Sequence, residues 1–145
     1  KYNSLFIVND RIDIALAVDA DGIHLGQEDI PTKIAREILG AEKIIGRSTH
    51  CLDDIKNAEL EGCDYIGIGP IFPSETKKDL HPIGIDYLRK GLSETLLPAF
   101  AIGGINNSNI NKLHKINNLR IAVSNSIINS NDPFSKTEEL LKFLT

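Results

Sequence analysis

Residues 22–39 read GIHLGQEDIPTKIAREIL and contain one complete strand, loop and helix. Gly22-Ile23-His24-Leu25 is a short apolar run of strand length, and the polar residues 26–31 follow it. Thr32 to Leu39 then places apolar residues at helical spacing, and Gly40 stands where helices commonly end. The stretch therefore predicts a strand that leads through a polar loop into a helix.

The same alternation occurs six times along the chain. Strands are predicted at 5–8, 22–25, 43–46, 65–68, 100–102 and 120–123, and helices at 12–18, 32–39, 52–61, 85–92, 108–116 and 134–144. Apolar runs separated by single helices are typical of a parallel α/β sheet. Both an open doubly wound sheet and a TIM (β/α)8 barrel fit this order. Small, polar or acidic residues follow every strand, which favours the barrel because barrel sites collect at that end. We predict a single, partial barrel domain over residues 1–145, with about six of the eight strand–helix units.

Composition excludes several classes of protein. The 145 residues are 41% hydrophobic and 25% charged, as in an ordinary globular domain. The net charge of −4 and the scattered basic residues argue against a nucleic-acid partner. No apolar run approaches the roughly 18 residues of a membrane span, and Lys1 to Asp10 lacks a signal-peptide pattern, so we predict a cytoplasmic protein with no membrane partner. Cys51 and Cys63 lack the spacing of a zinc site or a disulfide framework. The sequence leaves a homo-oligomer open.

Asp10 and Asp29 each follow a predicted strand, and the two strands are consecutive. In a parallel sheet both residues would lie at the same rim, about one strand spacing of 4.8 Å apart plus the reach of the loops. Two carboxylates at that separation suit Mg²⁺, which keeps waters and takes further ligands from phosphates. Each aspartate taken alone also fits an ordinary helix cap.

The longest predicted loop begins at Gly69 and runs to about Gly84. Ser74, Thr76 and Lys77 offer two hydroxyls and a cation for a phosphate, and a lid carrying Lys77 could stabilise a departing diphosphate. From spacing alone, a solvated lysine pair in a surface loop is an equal alternative.

Two further loops suggest phosphate binding. Gly103-Gly104 and Val123-Ser124 follow the last two strands, where barrels commonly bind phosphate through backbone N–H groups. Gly-Gly alone would indicate only a turn. Ser48 precedes His50 after the third strand without an acid to complete a triad, and His24 lies inside a strand, where a hydrogen-bonded core or lumen histidine is the usual role.

In this order, the motifs resemble those of the thiamine-phosphate synthase family and its paralogue, the thiazole tautomerase. The matching segments span residues 5 to 126 and are 7–11, 20–29, 46–50, 67–77, 101–105 and 123–124. Each segment is weak alone, whereas six in sequence with consistent spacing form a specific signal.

The resemblance implies a transferase that joins hydroxymethylpyrimidine diphosphate to thiazole phosphate, giving thiamine phosphate and pyrophosphate. It implies that Asp10 and Asp29 bind Mg²⁺. It also implies pyrophosphate contacts from Asn9 and from the catalytic residues Ser48 and Lys77, and a thiazole phosphate site made by Ser74, Thr76, Gly104, Val123 and Ser124. Pyrophosphate departs first in this family, leaving a pyrimidine-methyl cation that the thiazole nitrogen captures. Such chemistry requires stabilisation of leaving-group charge and exclusion of water.

Two alternatives to the synthase are a tautomerase-like paralogue and a non-catalytic barrel that binds a phosphometabolite. The combination of Asn9-Asp10, Asp29 and Thr76-Lys77 favours the synthase. Family members begin with two more strand–helix units, which supply further diphosphate ligands. We therefore expect a parent chain with about 60 or more additional N-terminal residues, a length that would complete eight units.

Overall fold

The computed structural model describes residues 3–74, 80–117 and 119–143. Within these residues the six strands are β1 (Ile7–Asn9), β2 (Gly22–Leu25), β3 (Ile44–Thr49), β4 (Tyr65–Ile68), β5 (Ala99–Ile102) and β6 (Arg120–Ala122). The helices are α1 (Ile12–Ala17), α2 (Thr32–Leu39), α3 (Leu52–Leu60), α4 (Gly84–Ser93), α5 (Asn125–Ile128) and α6 (Pro133–Leu141), with a 3-10 helix at Ile110–Leu113. The strands form one sheet in the order β1 to β6. The predicted alternation of strands and helices is confirmed.

Several boundaries agree with the sequence prediction, most others shift by about one to three residues, and three features differ more. β2, β4 and α2 have the predicted ends. β3 is longer than predicted and includes Ser48 and Thr49, because the Thr49 hydroxyl donates to the Gly67 carbonyl (3.0 Å) and continues the strand's contacts. The helix predicted over 108–116 is only the 3-10 turn, and the short α5 was not predicted.

Asparagine side chains explain why the predicted helix over 108–116 does not form. The Asn106 Oδ1 accepts from the Ser108 backbone N–H (2.9 Å), and the Asn109 Oδ1 accepts from the Asn106 backbone N–H (2.9 Å). Side chains that bond nearby backbone groups compete with the helical hydrogen bonds. The segment therefore tightens into a short 3-10 turn.

By density of internal contacts the chain divides into two compact units, Lys1–Gly67 with Glu94–Pro98, and Ile68–Ser93 with Ala99–Thr145. We call them the first and second units. The core of the first unit centres on four residues that are 0% exposed, Ile23, Leu25, Ala35 and Ile45, with partly buried Ile12, Ile30 and Leu39 packed against them. Ile23 and Ile45 are register partners in the parallel pair β2–β3, so the two strands present one apolar face to α2.

The start of α3 in the first unit is fixed by a reciprocal cap. The Cys51 sulfur accepts from the Asp54 backbone N–H (3.4 Å), while the Asp54 carboxylate accepts from the N–H groups of Cys51 (3.2 Å) and His50 (2.8 Å). Such a capping box satisfies backbone donors that a helix end leaves unpaired. It also anchors the segment that leaves β3.

The second unit has its own buried residues and its own parallel pair. β5 and β6 pair with Ala101 opposite Ile121. Buried side chains come from β5, the 3-10 turn and the helices, among them Leu88, Ala101, Ile110, Leu113 and Leu140. α6 begins at Pro133, and the Asp132 carboxylate caps it by accepting from the Ser135 N–H (3.0 Å).

The helices within the described ranges are all too short or too polar to cross a membrane.

Candidate active site

The C-terminal end of β1 places Asn9 and Asp10 beside β2. Asn9 is the register partner of His24, and the Asp10 N–H donates to the His24 carbonyl (2.9 Å). The chain then turns sharply, because Asp10 adopts a left-handed backbone conformation with φ of 63°. Asp tolerates this region better than most residues, so the strand can end here and α1 can begin two residues later.

Asp29 closes the turn that follows β2. Its Oδ2 accepts from the Gly26 N–H (2.6 Å), and its own N–H donates back to the Gly26 carbonyl (3.3 Å). Asp10 and Asp29 therefore both belong to the C-terminal rim of the β1–β2 pair, where the sequence predicted them. This turn fixes one carboxylate oxygen of Asp29 before any ligand is bound.

Ser48 lies near the end of β3 on the same face of the sheet as Asn9 and His24. The registers pair Asn9 with His24 and His24 with Gly46, and alternate residues of a strand share a face. The His24 Nε2 is 3.0 Å from the Ser48 Oγ, and the Gln27 amide donates to the Ser48 carbonyl. The side chain and the main chain of Ser48 are thus both held.

His24 connects Ser48 to Tyr65 of β4. The His24 Nδ1 is 2.9 Å from the Tyr65 hydroxyl, and the two rings lie 5.4 Å apart at an interplanar angle of 33°. Burial raises the pKa of Tyr65 to about 12 because the phenolate would lose hydration. Tyr65 therefore stays a neutral hydroxyl at neutral pH. The expectation that His24 is a hydrogen-bonded histidine is confirmed.

In the second unit the chain after β4 runs beside the end of β5. The Ile71 N–H donates to the Ile102 carbonyl (2.9 Å), and the Phe72 N–H donates to the Gly103 carbonyl (3.1 Å). Gly103 and Gly104 have φ of 95° and 65°, and a Cβ on Gly104 would lie 2.3 Å from the Pro73 carbonyl oxygen. Only glycine lets the two backbones approach this closely. Ser74 follows directly and is half-buried.

Val123 and Ser124 follow β6 in the same unit. Val123 is half-buried, and Ser124 is exposed at the start of α5, where its carbonyl accepts from the N–H groups of Ile127 and Ile128. The Gly104 carbonyl accepts from the side-chain amides of Asn106 (3.1 Å) and Asn109 (2.8 Å). The predicted residues of the second unit therefore stand where β5 and β6 end. Thr76 and Lys77, the other residues predicted for this loop chemistry, lie outside the described residues.

Asp10 and Asp29 are the predicted metal ligands, and their donor atoms suit a hard divalent cation. Across residues 3–74, 80–117 and 119–143, no group of three or more His, Cys, Asp or Glu forms a metal-binding cluster. Within the described residues, Asp29 Oδ2 accepts the Gly26 N–H, whereas Oδ1 accepts no hydrogen bond. A pair of carboxylates fits Mg²⁺, which binds one or two carboxylates and takes its other ligands from water and phosphate oxygens.

Sequence reasoning missed the contacts of His24 with Tyr65 and Ser48, and that of Gln27 with Ser48. The available signal was register: His24, Gly46 and Ser48 share a face once the strands are aligned. Gly46 was a second signal, because a side chain there would occupy the space of the Tyr65 ring.

Comparison with known proteins gives one consistent family. The family described as thiamine monophosphate synthase matches residues 1–127. A thiamine-phosphate synthase of Prochlorococcus marinus is 55% identical over 141 residues, which are 97% of this chain and 41% of that protein. One from Thermosynechococcus vestitus is 46% identical over all 145 residues and 41% of its own length. The chain thus spans about 41% of the curated relatives that it matches.

A solved structure gives the same result for the fold. The thiamine phosphate pyrophosphorylase from Pyrococcus furiosus matches with a TM-score of 0.90 and 43% identity over 99% of this chain and 68% of that one. The predicted fold class, a six-strand part of a TIM-type barrel, is confirmed by this match together with the strand order.

Proposed function

The chain belongs to the thiamine monophosphate synthase family, and on that premise we propose that it forms part of an enzyme that joins hydroxymethylpyrimidine diphosphate to thiazole phosphate. The products are thiamine phosphate and pyrophosphate, so the protein is a transferase. The observation that carries the proposal is the gathering of polar residues at the ends of the first three strands. Asn9, Asp10, Asp29 and Ser48 lie at one rim of the first unit, where the main chain or side chains are held by hydrogen bonds.

Asp10 and Asp29 are the proposed ligands of Mg²⁺ at this rim. Bound Mg²⁺ would neutralise charge on the diphosphate and so favour its departure. The Gly26 N–H orients Asp29 by holding one of its oxygens at 2.6 Å, which leaves the other oxygen for the cation. The left-handed turn at Asp10 keeps that residue at the end of β1.

Ser48 and Asn9 are proposed to donate hydrogen bonds to the diphosphate oxygens. A hydroxyl and an amide that are fixed in advance stabilise developing negative charge without reorganising during the reaction. Ser48 meets that requirement, because His24 and Gln27 hold its side chain and its carbonyl. Lys77 is proposed as the cation that stabilises the leaving group, on the evidence of the sequence resemblance alone.

The second unit is proposed to hold the thiazole phosphate. Ser74 and Thr76 would supply hydroxyls, and the backbone at Gly104, Val123 and Ser124 would supply N–H groups. The position of Gly103-Gly104 and Val123-Ser124 directly after β5 and β6 supports this role, because barrels commonly bind phosphate through backbone N–H groups at these loops.

Removing one carboxylate at a time tests the metal assignment. Asp10→Asn and Asp29→Asn are expected to lower thiamine phosphate formation by about 100-fold or more while the fold remains cooperative. Asn keeps an oxygen for the Gly26 N–H and tolerates the conformation of Asp10, so only the charge changes. Asp53→Asn, an exposed carboxylate in the first turn of α3, is the matched control. Calorimetric titration of magnesium pyrophosphate into each variant gives a readout independent of turnover. Wild-type affinity and rate in either variant would refute the metal assignment and favour a phosphometabolite-binding barrel.

The role of Lys77 is tested by separating two steps. Lys77→Ala should slow pyrophosphate release more than it weakens thiazole phosphate binding, because the amine is proposed to act on the leaving group. Single-turnover kinetics with a pyrophosphate sensor measure the first quantity, and equilibrium titration measures the second. Equal losses in both would contradict the leaving-group role.

A further inference from the structure

Three side chains from three consecutive strands form a continuous hydrogen-bond chain in the first unit. Tyr65 of β4 bonds to one nitrogen of His24 on β2 (2.9 Å), and the other nitrogen bonds to Ser48 of β3 (3.0 Å). All three residues are half-buried. Ser48 is 24 residues and Tyr65 is 41 residues from His24 in sequence, so only the register of the sheet brings the three side chains together.

Gly46 makes the arrangement sterically possible. It is the register partner of His24, and a Cβ on it would lie 2.0 Å from the Tyr65 Cζ. The Tyr65 ring therefore occupies the place that a side chain at position 46 would take. Its hydroxyl reaches His24, and its ring packs against the imidazole at a tilt.

The protonation state of Tyr65 allows it to act as the donor at one end of the chain. Its pKa is raised to about 12 by burial, so the phenol keeps its hydrogen at neutral pH. A phenol that donates to Nδ1 requires an unprotonated Nδ1, which places the hydrogen of a neutral imidazole on Nε2. Nε2–H then donates to the Ser48 oxygen.

The same direction determines what Ser48 can offer to a ligand. A hydroxyl has one hydrogen, and if its oxygen already accepts from His24, that hydrogen is available for an acceptor elsewhere. In the opposite tautomer Ser48 would donate its hydrogen to Nε2. The lone pairs of its oxygen would then face an anion and repel that anion. Gln27 holds the Ser48 carbonyl and so limits rotation of the residue as a whole.

We propose that His24 and Tyr65 are positioning residues, which hold the Ser48 hydroxyl as a hydrogen-bond donor toward a diphosphate oxygen. The proposal rests on the proposed function for the identity of the anion, and on the contacts above for the connection of Tyr65, His24 and Ser48. Tyr65 selects the tautomer, His24 transmits it, and Ser48 meets the ligand. Neither His24 nor Tyr65 needs to touch substrate for this role.

Nitrogen-15 NMR of the intact chain measures the tautomer directly, since protonated and unprotonated imidazole nitrogens differ widely in chemical shift. His24→Gln identifies the His24 signals by their loss. The wild type is expected to carry hydrogen on Nε2, and Tyr65→Phe, which removes the hydroxyl and keeps the ring, is expected to shift His24 toward a mixture of tautomers. Tyr87→Phe on α4 is the matched control and should leave the spectrum unchanged.

Titration with magnesium pyrophosphate measures the consequence for Ser48. Tyr65→Phe and His24→Leu are expected to weaken binding by about three- to tenfold, the effect of one hydrogen bond. His24→Gln, whose amide can still donate to Ser48, should recover most of the affinity. If His24 had only a structural role, the His24→Leu and His24→Gln variants would not differ in their affinity for magnesium pyrophosphate.

The outcomes separate this inference from the function on which it rests. Hydrogen on Nδ1 in the wild type, or equal affinity of the His24→Leu and His24→Gln variants at a measurable value, overturns the positioning role. Hydrogen on Nε2 in a wild-type chain that binds no pyrophosphate supports the order of the bonds and counts against the proposed diphosphate site.

Discussion

In the first unit side-chain hydrogen bonds hold Asp29 and Ser48 at the strand ends, whereas in the second unit close backbone contact limits what can stand at the end of β5. Asp29 bonds to Gly26, and Ser48 bonds to His24 and Gln27. At the end of β5, by contrast, Gly104 lies against the carbonyl of Pro73 with no space for a Cβ. The two regions therefore tolerate different kinds of substitution. A substitution that removes one of these hydrogen bonds in the first unit should alter function more than folding. A substitution that adds a Cβ at Gly104 in the second unit would collide with the backbone and should alter folding first.

The largest effect on stability is expected at the backbone contact of the second unit. Gly104→Ala should lower the free energy of unfolding by about 3 kcal/mol, because it combines a left-handed residue with overpacking against the Pro73 carbonyl. Gly62→Ala is the matched control in the first unit. It has φ of 76° and nothing within 4 Å of the added Cβ, so it should cost only about 1 kcal/mol. Urea denaturation measures the free energy of unfolding of both variants. Equal losses would contradict the proposed difference between the two units.

A smaller effect is expected at the cap of α3 in the first unit. Asp54→Ala removes the acceptor for the N–H groups of His50 and Cys51 and should cost about 1 kcal/mol. Asp53→Ala removes an equal charge from the same helical turn, so the difference between the two variants isolates the hydrogen bonds. Thermal unfolding monitored by circular dichroism is sufficient. A loss in Asp54→Ala no greater than in Asp53→Ala would show that the cap contributes nothing.

The smallest effect concerns the exposed ion pair that follows Asp10. The Arg11 guanidinium bonds to Asp13 through two nitrogens and, chiefly by this bond, lowers the pKa of Asp13 to about 2. A lowered pKa stabilises the fold above the ordinary value of 3.8, and this contribution is lost as pH falls toward 2. Arg11→Met should return the pKa of Asp13 toward 3.8 in a carboxylate NMR titration. Arg89→Met should leave it unchanged. Because both partners are exposed, little change in stability is expected.

The sequence predicted the sheet well where strands and helices carry strong apolar patterns. β2, β4 and α2 were predicted to the residue, since glycine, proline and apolar spacing mark their ends. The end of β3 was not, because Ser48 and Thr49 are polar residues that usually indicate a loop. Their place in the strand depends on partners far along the chain, such as Gly67.

The candidate site shows the same division between local and distant information. The rim position of Asp10 and Asp29 followed from strand ends alone, because parallel neighbours end at one side of a sheet. The support of Ser48 by His24 and Tyr65 did not, because it requires the register of three strands and the space left by Gly46. Local patterns locate residues at an edge, and distant contacts decide how they are oriented.

The left-handed turn at Asp10 limits which amino acids can occupy this position. Asn, Asp and Gly adopt this conformation at low cost, whereas Glu, the other natural carboxylate, is penalised by its backbone. Folding alone would therefore tolerate these three amino acids at position 10. Under the proposed metal role, cation binding would accept only aspartate, so a change to asparagine would leave a well-folded protein that has lost a ligand for the cation.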